Sequence, residues 1–231
     1  MAVRKLNMQV NTTTNLEALN QKYEALSPSE RISTFYTDFN VNEILVTSSF
    51  AANSAFFLHI FSKYGHAEQK IHFIDTKFHF NETLHYKEFL TKKYNLNVVD
   101  ITPNQTQNNL AKREQLWKSN PDLCCEVNKV QPLSHVAKNF KVWASGLMRS
   151  QNEHRKELRV FEEKKGNLRF YPIIDIDPTK RDAFIHREKL PTHPLVEQGY
   201  HSIGCKHCTV KGENREGRWV GLAKSECGLH I

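Results

Sequence analysis

Residues 43–65 read EILVTSSFAANSAFFLHIFSKYG. The first part, EILVTSS, is a short apolar run of the length of a buried strand. The last part, NSAFFLHIFSKYG, is an apolar helix that should end at Gly65. Between them stand Thr47, Ser48, Ser49, Ala51 and Ala52, small or hydroxyl residues at a strand-to-helix turn. Backbone N–H groups and Ser hydroxyls in such a turn make an anion site; an ordinary Ser-capped turn is the plainer alternative. The turn holds no Gly, so it is neither a Walker A loop nor a dinucleotide fingerprint.

The same alternation continues downstream. IHFID (71–75), NVVDI (97–101) and KVWASG (141–146) read as further strands. NETLHYKEFLTKKY (81–94) reads as a helix capped by Asn81 with Glu82 in its first turn, and a polar helix is expected to run through Trp117. Strands and helices at this spacing define an α/β fold: a parallel twisted sheet with helices on both faces. Ligands of such sheets sit at the carboxyl ends of the strands. Those ends are Thr47–Ser49, Asp75–Thr76 and Ser145–Gly146. A carboxylate such as Asp75 there could face a ribose hydroxyl or simply cap a turn.

Upstream, Leu16, Leu19, Tyr23 and Leu26 fall at helical spacing, and Ser29 is expected to cap a second helix. Past residue 150 the alternation fades. YPIIDID (171–177) reads as a short strand or turn and RDAFIHREKL (181–190) as a helix before Pro191 and Pro194. Residues 199–231, rich in Gly, Cys and Arg, read as a site-forming loop and a mobile C-terminal arm. The expected boundaries are a helical segment over 1–40, the sheet domain over 41–210 and the arm over 211–231.

At 231 residues, 39% hydrophobic and with 14 Phe, the chain can bury a sizeable core. No apolar run approaches the roughly 20 residues that span a bilayer. The start, MAVRKLNMQVNTTTN, lacks the apolar stretch of a signal peptide, so a cytoplasmic protein is expected. The net charge of +7 favours anionic partners, although a solvated surface with surplus Lys accounts for it equally well.

The five cysteines carry the most information. Cys124 and Cys125 are adjacent, Cys205 and Cys208 form a CxxC, and Cys227 stands apart near the end. An odd number without an export signal does not suit a disulfide framework. Two close pairs suit a four-thiolate site for zinc or for a 4Fe-4S cluster. Adjacent cysteines are awkward around one tetrahedral zinc and sit better on a cluster, where each thiolate takes a different iron. Cys227, among Lys224 and His230, is a candidate nucleophile, since nearby cations lower a thiol pKa; an incidental thiol is the alternative. Arg149, Arg155, Arg215 and Arg218, with Lys129, could bind sulfate or phosphate oxygens. A zinc-stabilised nucleic-acid-binding protein would use the same cysteines and the same basic surplus.

Six stretches together resemble the assimilatory sulfonucleotide reductases, which act on adenylyl sulfate or phosphoadenylyl sulfate. They are VTSSFAANS (46–54), FIDTKFHFNET (73–83), CCEVNKVQPL (124–133), WASGLMRSQNEHR (143–155), HPLVEQGYHSIGCKHCT (193–209) and GRWVGLAKSECGLH (217–230). The resemblance implies a nucleotide-binding fold related to the ATP pyrophosphatases, of the adenine-nucleotide alpha-hydrolase type. It implies reduction of adenylyl sulfate to sulfite and AMP through an S-sulfocysteine on Cys227, with thioredoxin or glutaredoxin as reductant; phosphoadenylyl sulfate is the alternative substrate. It further implies that Cys124, Cys125, Cys205 and Cys208 ligate a 4Fe-4S cluster. Ser48, Ser49, Asp75, Lys129, Arg149, Arg155, Arg215 and Arg218 would bind substrate. Neither nucleic acid nor membrane is implied as a partner, and a homo-oligomer is compatible. The chain departs from the family pattern at Ala51, Lys77, Asn128, Met148 and Asn152. The Gly-rich SGGxDS loop of the related tRNA-thiolating enzymes is absent.

Overall fold

The computed structural model describes residues 12–164, 166–222, 224 and 226–229; His230 lies outside them. The first elements among the described residues are two helices, α1 (Thr12–Glu24) and α2 (Pro28–Asp38), followed by β1 (Ile44–Thr47), α3 (Ser54–Tyr64), β2 (Lys70–Ile74), α4 (Asn81–Lys93) and β3 (Asn97–Ile101). Four short helices come next: α5 (Gln105–Arg113), α6 (Leu116–Ser119), α7 (Pro121–Cys125) and, after a π-helical turn over Glu126–Val130, α8 (Gln131–Ala137). Then follow β4 (Val142–Ser145), α9 (Glu153–Lys156), β5 (Phe161–Lys164), β6 (Asn167–Phe170) and α10 (Pro178–Arg187).

The strands form one sheet in the order β3-β2-β1-β4-β6-β5, parallel except for β5, which runs antiparallel to β6. Period-2 alternation divides the core between two faces. On β1, Ile44 and Val46 join the larger cluster with α2 and α3, through Ile32, Phe35 and Phe57. Leu45, between them, packs on the opposite face with Leu133 and Ala137 of α8 and Trp143 of β4. The parallel sheet with helices on both faces is thus as expected. Among the described residues no helix is long and apolar enough to cross a membrane.

Several boundaries differ from the sequence expectation. Ser27, not Ser29, caps α2: its Oγ accepts from Glu30 N at 3.4 Å and the Glu30 carboxylate accepts from Ser27 N at 2.8 Å. Pro28 lacks an N–H and has a preset φ, which fixes the helix start one residue after Ser27. The helix at 81 begins after Phe80, and Asn81 is its first helical residue rather than its cap. The polar helix stops at Arg113, because Gln115 turns left-handed (φ 45°) before Leu116 restarts a helical turn. Residues 171–177 follow the turn alternative of the expectation, with Ile174 N bonded to Tyr171 O and Ile176 N to Ile173 O. The strands there are β5 and β6, whose sequences FEEK and NLRF show no clean alternation.

The helical segment is no separate layer. Tyr23 packs edge-to-face on Phe161 and Phe35 stacks on Phe170, with ring centroids 4.9 Å and 4.2 Å apart. Buried Arg31 pairs with Asp175 at 2.6 Å. Asn20 of α1 covers the outer edge of β5, giving its Nδ2 to Phe161 O at 3.0 Å and accepting from Phe161 N at 2.8 Å. This occupies the outward backbone groups of Phe161, one way of blunting a strand edge.

Candidate active site

The chain leaves β1 toward β2 on one side, while β4 lies on the other, so a topological switch point falls between β1 and β4. In open parallel sheets that is where a crevice forms and ligands bind. A cavity of about 230 Å³ sits there. Ser48 and Ser49 line it from the β1 turn, Ser145 and Gly146 from the end of β4. Asn53 and Ser54 bring the N-terminus of α3, which has no side-chain cap, to the same wall, and the positive end of the helix favours an anion there. The turn is tight without Gly because Phe50 itself adopts φ 49°, with its N–H on Ser48 Oγ at 3.3 Å, while Ser54 Oγ accepts from Ala51 N at 2.9 Å. Gly146 is required: a Cβ there would lie 2.9 Å from Phe57, which packs α3 against the strand end. Ser145 Oγ is buried with no hydrogen-bond partner, a polar group left over at the cavity wall.

Four cations reach the cavity: Lys129, Arg155, Arg215 and Arg218. Arg155 and Arg215 are ion-paired with Glu226, at 2.8 Å and 3.2 Å. Arg218 has its Nε on Cys208 O at 3.3 Å and its guanidinium 4.3 Å from the centre of the Trp219 ring; burial lowers its pKa. Gly204 lies under that guanidinium, and a Cβ there would approach it to 2.4 Å. Neither Lys129 nor Arg218 has a carboxylate partner among the described residues. Cys227 lines the cavity too, part-buried and free.

Two predicted binding residues are placed elsewhere. The Asp75 carboxylate caps a turn, accepting from Lys77 N at 2.9 Å and Lys77 Nζ at 2.6 Å, with Lys77 left-handed at φ 63°. Burial would raise its pKa, but Lys77 more than offsets this and lowers it. Arg149 donates to Leu158 O at 2.9 Å and does not line the cavity. Conversely, the cavity includes His79, Gln151, His201, Ser202 and Trp219, which sequence reasoning did not single out. His79 is held neutral, its pKa lowered to about 4 by burial, with Nε2 at 2.9 Å from Ile74 O.

The other four cysteines ring a second, smaller pocket next to the first, walled by Phe78, Trp117, Asn128, Lys129 and His207. Cys124 and Cys125 end α7. The π-helical turn that follows, with Gln131 N bonded to Glu126 O, swings Lys129 between the two pockets. Asn128, where the family pattern has Arg, bonds Cys124 O at 2.8 Å and Asn108 at 2.7 Å. Thr76 Oγ1 lies 3.3 Å from Cys205 Sγ. His207 stacks on Trp117 at 4.0 Å and 9°. Burial, then the facing sulfurs of Cys125, Cys205 and Cys208, push the Cys124 thiol up to about 12. For Lys129 burial works to lower the pKa, but Cys205, Cys227 and Cys125 outweigh it and the pKa is raised. Among the described residues no group of three or more His, Cys, Asp or Glu is placed to hold a metal ion. The donor set still suits a four-thiolate group: four free thiols from two segments around one pocket, with no carboxylate among them.

A switch-point crevice with an anion-binding helix N-terminus, unpaired cations and a cysteine defines a nucleotide-binding α/β protein equipped for thiol chemistry. Comparison with known proteins agrees. Residues 43–211 match the phosphoadenosine phosphosulfate reductase domain family. Adenosine 5′-phosphosulfate reductase of Bacillus cereus (strain 03BB102) is 35% identical over 208 residues, covering 86% of this chain and 88% of the relative. The protein of that name from Bacillus cereus (strain B4264) is 32% identical and covers 94% and 95%. The crystal structure of phosphoadenylyl-sulfate reductase from Candida auris, a phosphate complex, superposes with a TM-score of 0.70 at 25% identity, covering 90% of this chain and all of that one. Candida glabrata FMN adenylyltransferase shares the fold alone, with a TM-score of 0.57 at 13% identity over 92% of this chain and 70% of its own. The chain belongs to the phosphoadenosine phosphosulfate reductase domain family.

Proposed function

We propose that this chain is a cytoplasmic reductase of adenylyl sulfate, yielding sulfite and AMP with thioredoxin or glutaredoxin as electron donor. One observation carries the chemistry: Cys227 lines the switch-point crevice together with Lys129 and Arg218, which have no carboxylate partner among the described residues. The choice of adenylyl sulfate over its 3′-phosphorylated form is supported by the Bacillus relatives, which are adenosine 5′-phosphosulfate reductases.

The sulfonucleotide's phosphosulfate group lies against the α3 N-terminus, Ser48 and Ser49. The Cys227 thiolate attacks the sulfonate sulfur. A Cys227 S–S bond forms, the S–O bond to the phosphate breaks, and AMP departs with that oxygen. Lys129 and Arg218 meet the charge developing on the leaving group, where preformed donors are worth most. A donor thiol then attacks Cys227 Sγ and expels sulfite, and its second thiol closes the donor's disulfide to free Cys227. The segment carrying Cys227 has to face the crevice for the first step and the donor for the second.

Cys124, Cys125, Cys205 and Cys208 would hold a 4Fe-4S cluster. Bound there, it would tie the two cysteine segments together and set a charged neighbour beside Lys129. The test is sulfite release from adenylyl sulfate and, separately, from its 3′-phosphorylated form, with thioredoxin supplied. Activity on the first alone is expected. Activity on the second alone would assign the other sulfonucleotide, and none on either would refute the proposal.

A further inference from the structure

Glu226 directly precedes the nucleophile, and its side chain is 4% exposed. Its carboxylate is saturated: Oε1 accepts from Asn152 Nδ2 at 2.7 Å and from Arg155 Nε and Nη2 at 2.9 and 2.8 Å, and Oε2 from Arg215 Nη2 at 3.2 Å. The receiving side is itself fixed. Arg155 N donates to Asn152 Oδ1 at 3.1 Å and Arg155 Nη1 to Gln151 Oε1, which also accepts from Met148 N at 3.2 Å. A buried ion pair adds little net stability, because desolvation consumes most of the attraction; what it fixes is geometry. Here it ties the residue beside Cys227 to the segment after β4. Arg155 and Arg215, which line the cavity, thereby also hold the residue beside Cys227.

We propose that Glu226 is a positioning residue that seats Cys227 at the crevice through Arg155 and Arg215. The inference rests on Cys227 being the nucleophile. Asn152 fits the same role: its Oδ1 accepts from Arg155 N while its Nδ2 donates to Glu226, which gives this departure from the family pattern a function.

The test compares wild type with Glu226→Ala, Glu226→Gln and Arg215→Ala. The first readout needs no turnover: the rate at which iodoacetamide labels Cys227, followed by peptide mass without substrate. Labelling should speed up several-fold in Glu226→Ala and Arg215→Ala. Glu226→Gln, which keeps the shape and one acceptor, should fall between. The second readout is steady-state reduction of adenylyl sulfate. Misplacing an attacking atom by about 1 Å can cost on the order of 100-fold, so kcat should fall about 10- to 100-fold in Glu226→Ala with KM nearly unchanged. Unaltered Cys227 labelling in all three variants would overturn the proposal. So would a lower KM with retained kcat, which would make Glu226 a competitor of the substrate anion. Should Glu226→Ala fail to fold, Glu226→Gln and Arg215→Ala decide it. Faster labelling in a protein that reduces no sulfonucleotide would support the seating and refute the proposed reaction, so the two failures are distinguishable.

Discussion

Gly204→Ala should weaken nucleotide binding without weakening the fold. A Cβ at residue 204 would sit 2.4 to 2.6 Å from the Nη2, Cζ and Nη1 atoms of Arg218. No side chain tolerates that approach, so one partner must move. The nearest atoms belong to the far end of a long side chain rather than to backbone, so the guanidinium swings away and the loop stays. That separates Arg218 from the crevice while leaving its charge in the protein. If Arg218 makes a charge-assisted contact to the substrate, the loss is about 1.5–3 kcal/mol. At about 1.4 kcal/mol per factor of ten, this is roughly a 10- to 150-fold weaker affinity. Arg218→Ala should give a similar loss, and the double variant little more, since both remove one contact. Titration calorimetry with adenylyl sulfate on the Cys227→Ser background measures the affinity without turnover. Thermal unfolding checks that the fold survives. Affinity within twofold of the parent in both single variants would refute the assignment of Arg218 to the substrate.

Three further outcomes follow from the same structure. Cys124→Ser and Cys208→Ser should each lose the absorbance near 400 nm of the proposed cluster, together with turnover; full colour and activity in either would remove those residues from the ligand set. Asn20→Ala should lower urea-unfolding stability by about 1–3 kcal/mol, because it strands the buried N–H and C=O of Phe161. A change below about 0.5 kcal/mol, the ordinary surface range, would mean water replaces Asn20 at the strand edge. For Asp175, burial acts to raise the pKa, but the Arg31 hydrogen bonds and charge outweigh it and the pKa is lowered. A depressed carboxylate stabilises the fold above its unfolded pKa and loses that stabilisation as pH falls through the folded value, so stability should drop below about pH 4. Asp175→Asn should flatten that drop, and an unchanged acid limb would show that the pair contributes nothing.

Much of the fold was legible because it rests on local pattern. ILVT and KIHFI are too short and apolar to be anything but interior strands, and the helices between them have clear periods. The β5–β6 hairpin was not legible: FEEK and NLRF are half polar because one lies at the sheet edge and the other carries Arg169, which stacks on Trp143 at 3.9 Å. Tertiary pairing, not alternation, makes them strands. In the site, the two cysteine pairs and Cys227 announce themselves by spacing and isolation, and the structure brings all five to two adjoining pockets. The arginines do not, since a guanidinium reads the same in sequence whether it faces a ligand, a carboxylate or a carbonyl. Arg218 faces the crevice, Arg155 and Arg215 meet Glu226, and Arg149 meets Leu158 O. Asp75 was equally ambiguous in sequence; in the structure its carboxylate accepts from Lys77 two residues on, as a turn cap does. Glu226 could have been suspected from the sequence, as a carboxylate next to the proposed nucleophile in a segment otherwise dominated by cations.

The central claim is that the reaction passes through Cys227, and a single-turnover measurement tests it most directly. Wild-type protein mixed with adenylyl sulfate and no reductant should release one equivalent of AMP. The peptide containing Cys227, and no other cysteine peptide, should gain the mass of one sulfonate group. Thioredoxin added afterwards should remove that mass and release sulfite. Sulfonate found on Cys205 or any other cysteine, or AMP and sulfite formed by Cys227→Ser, would contradict the account.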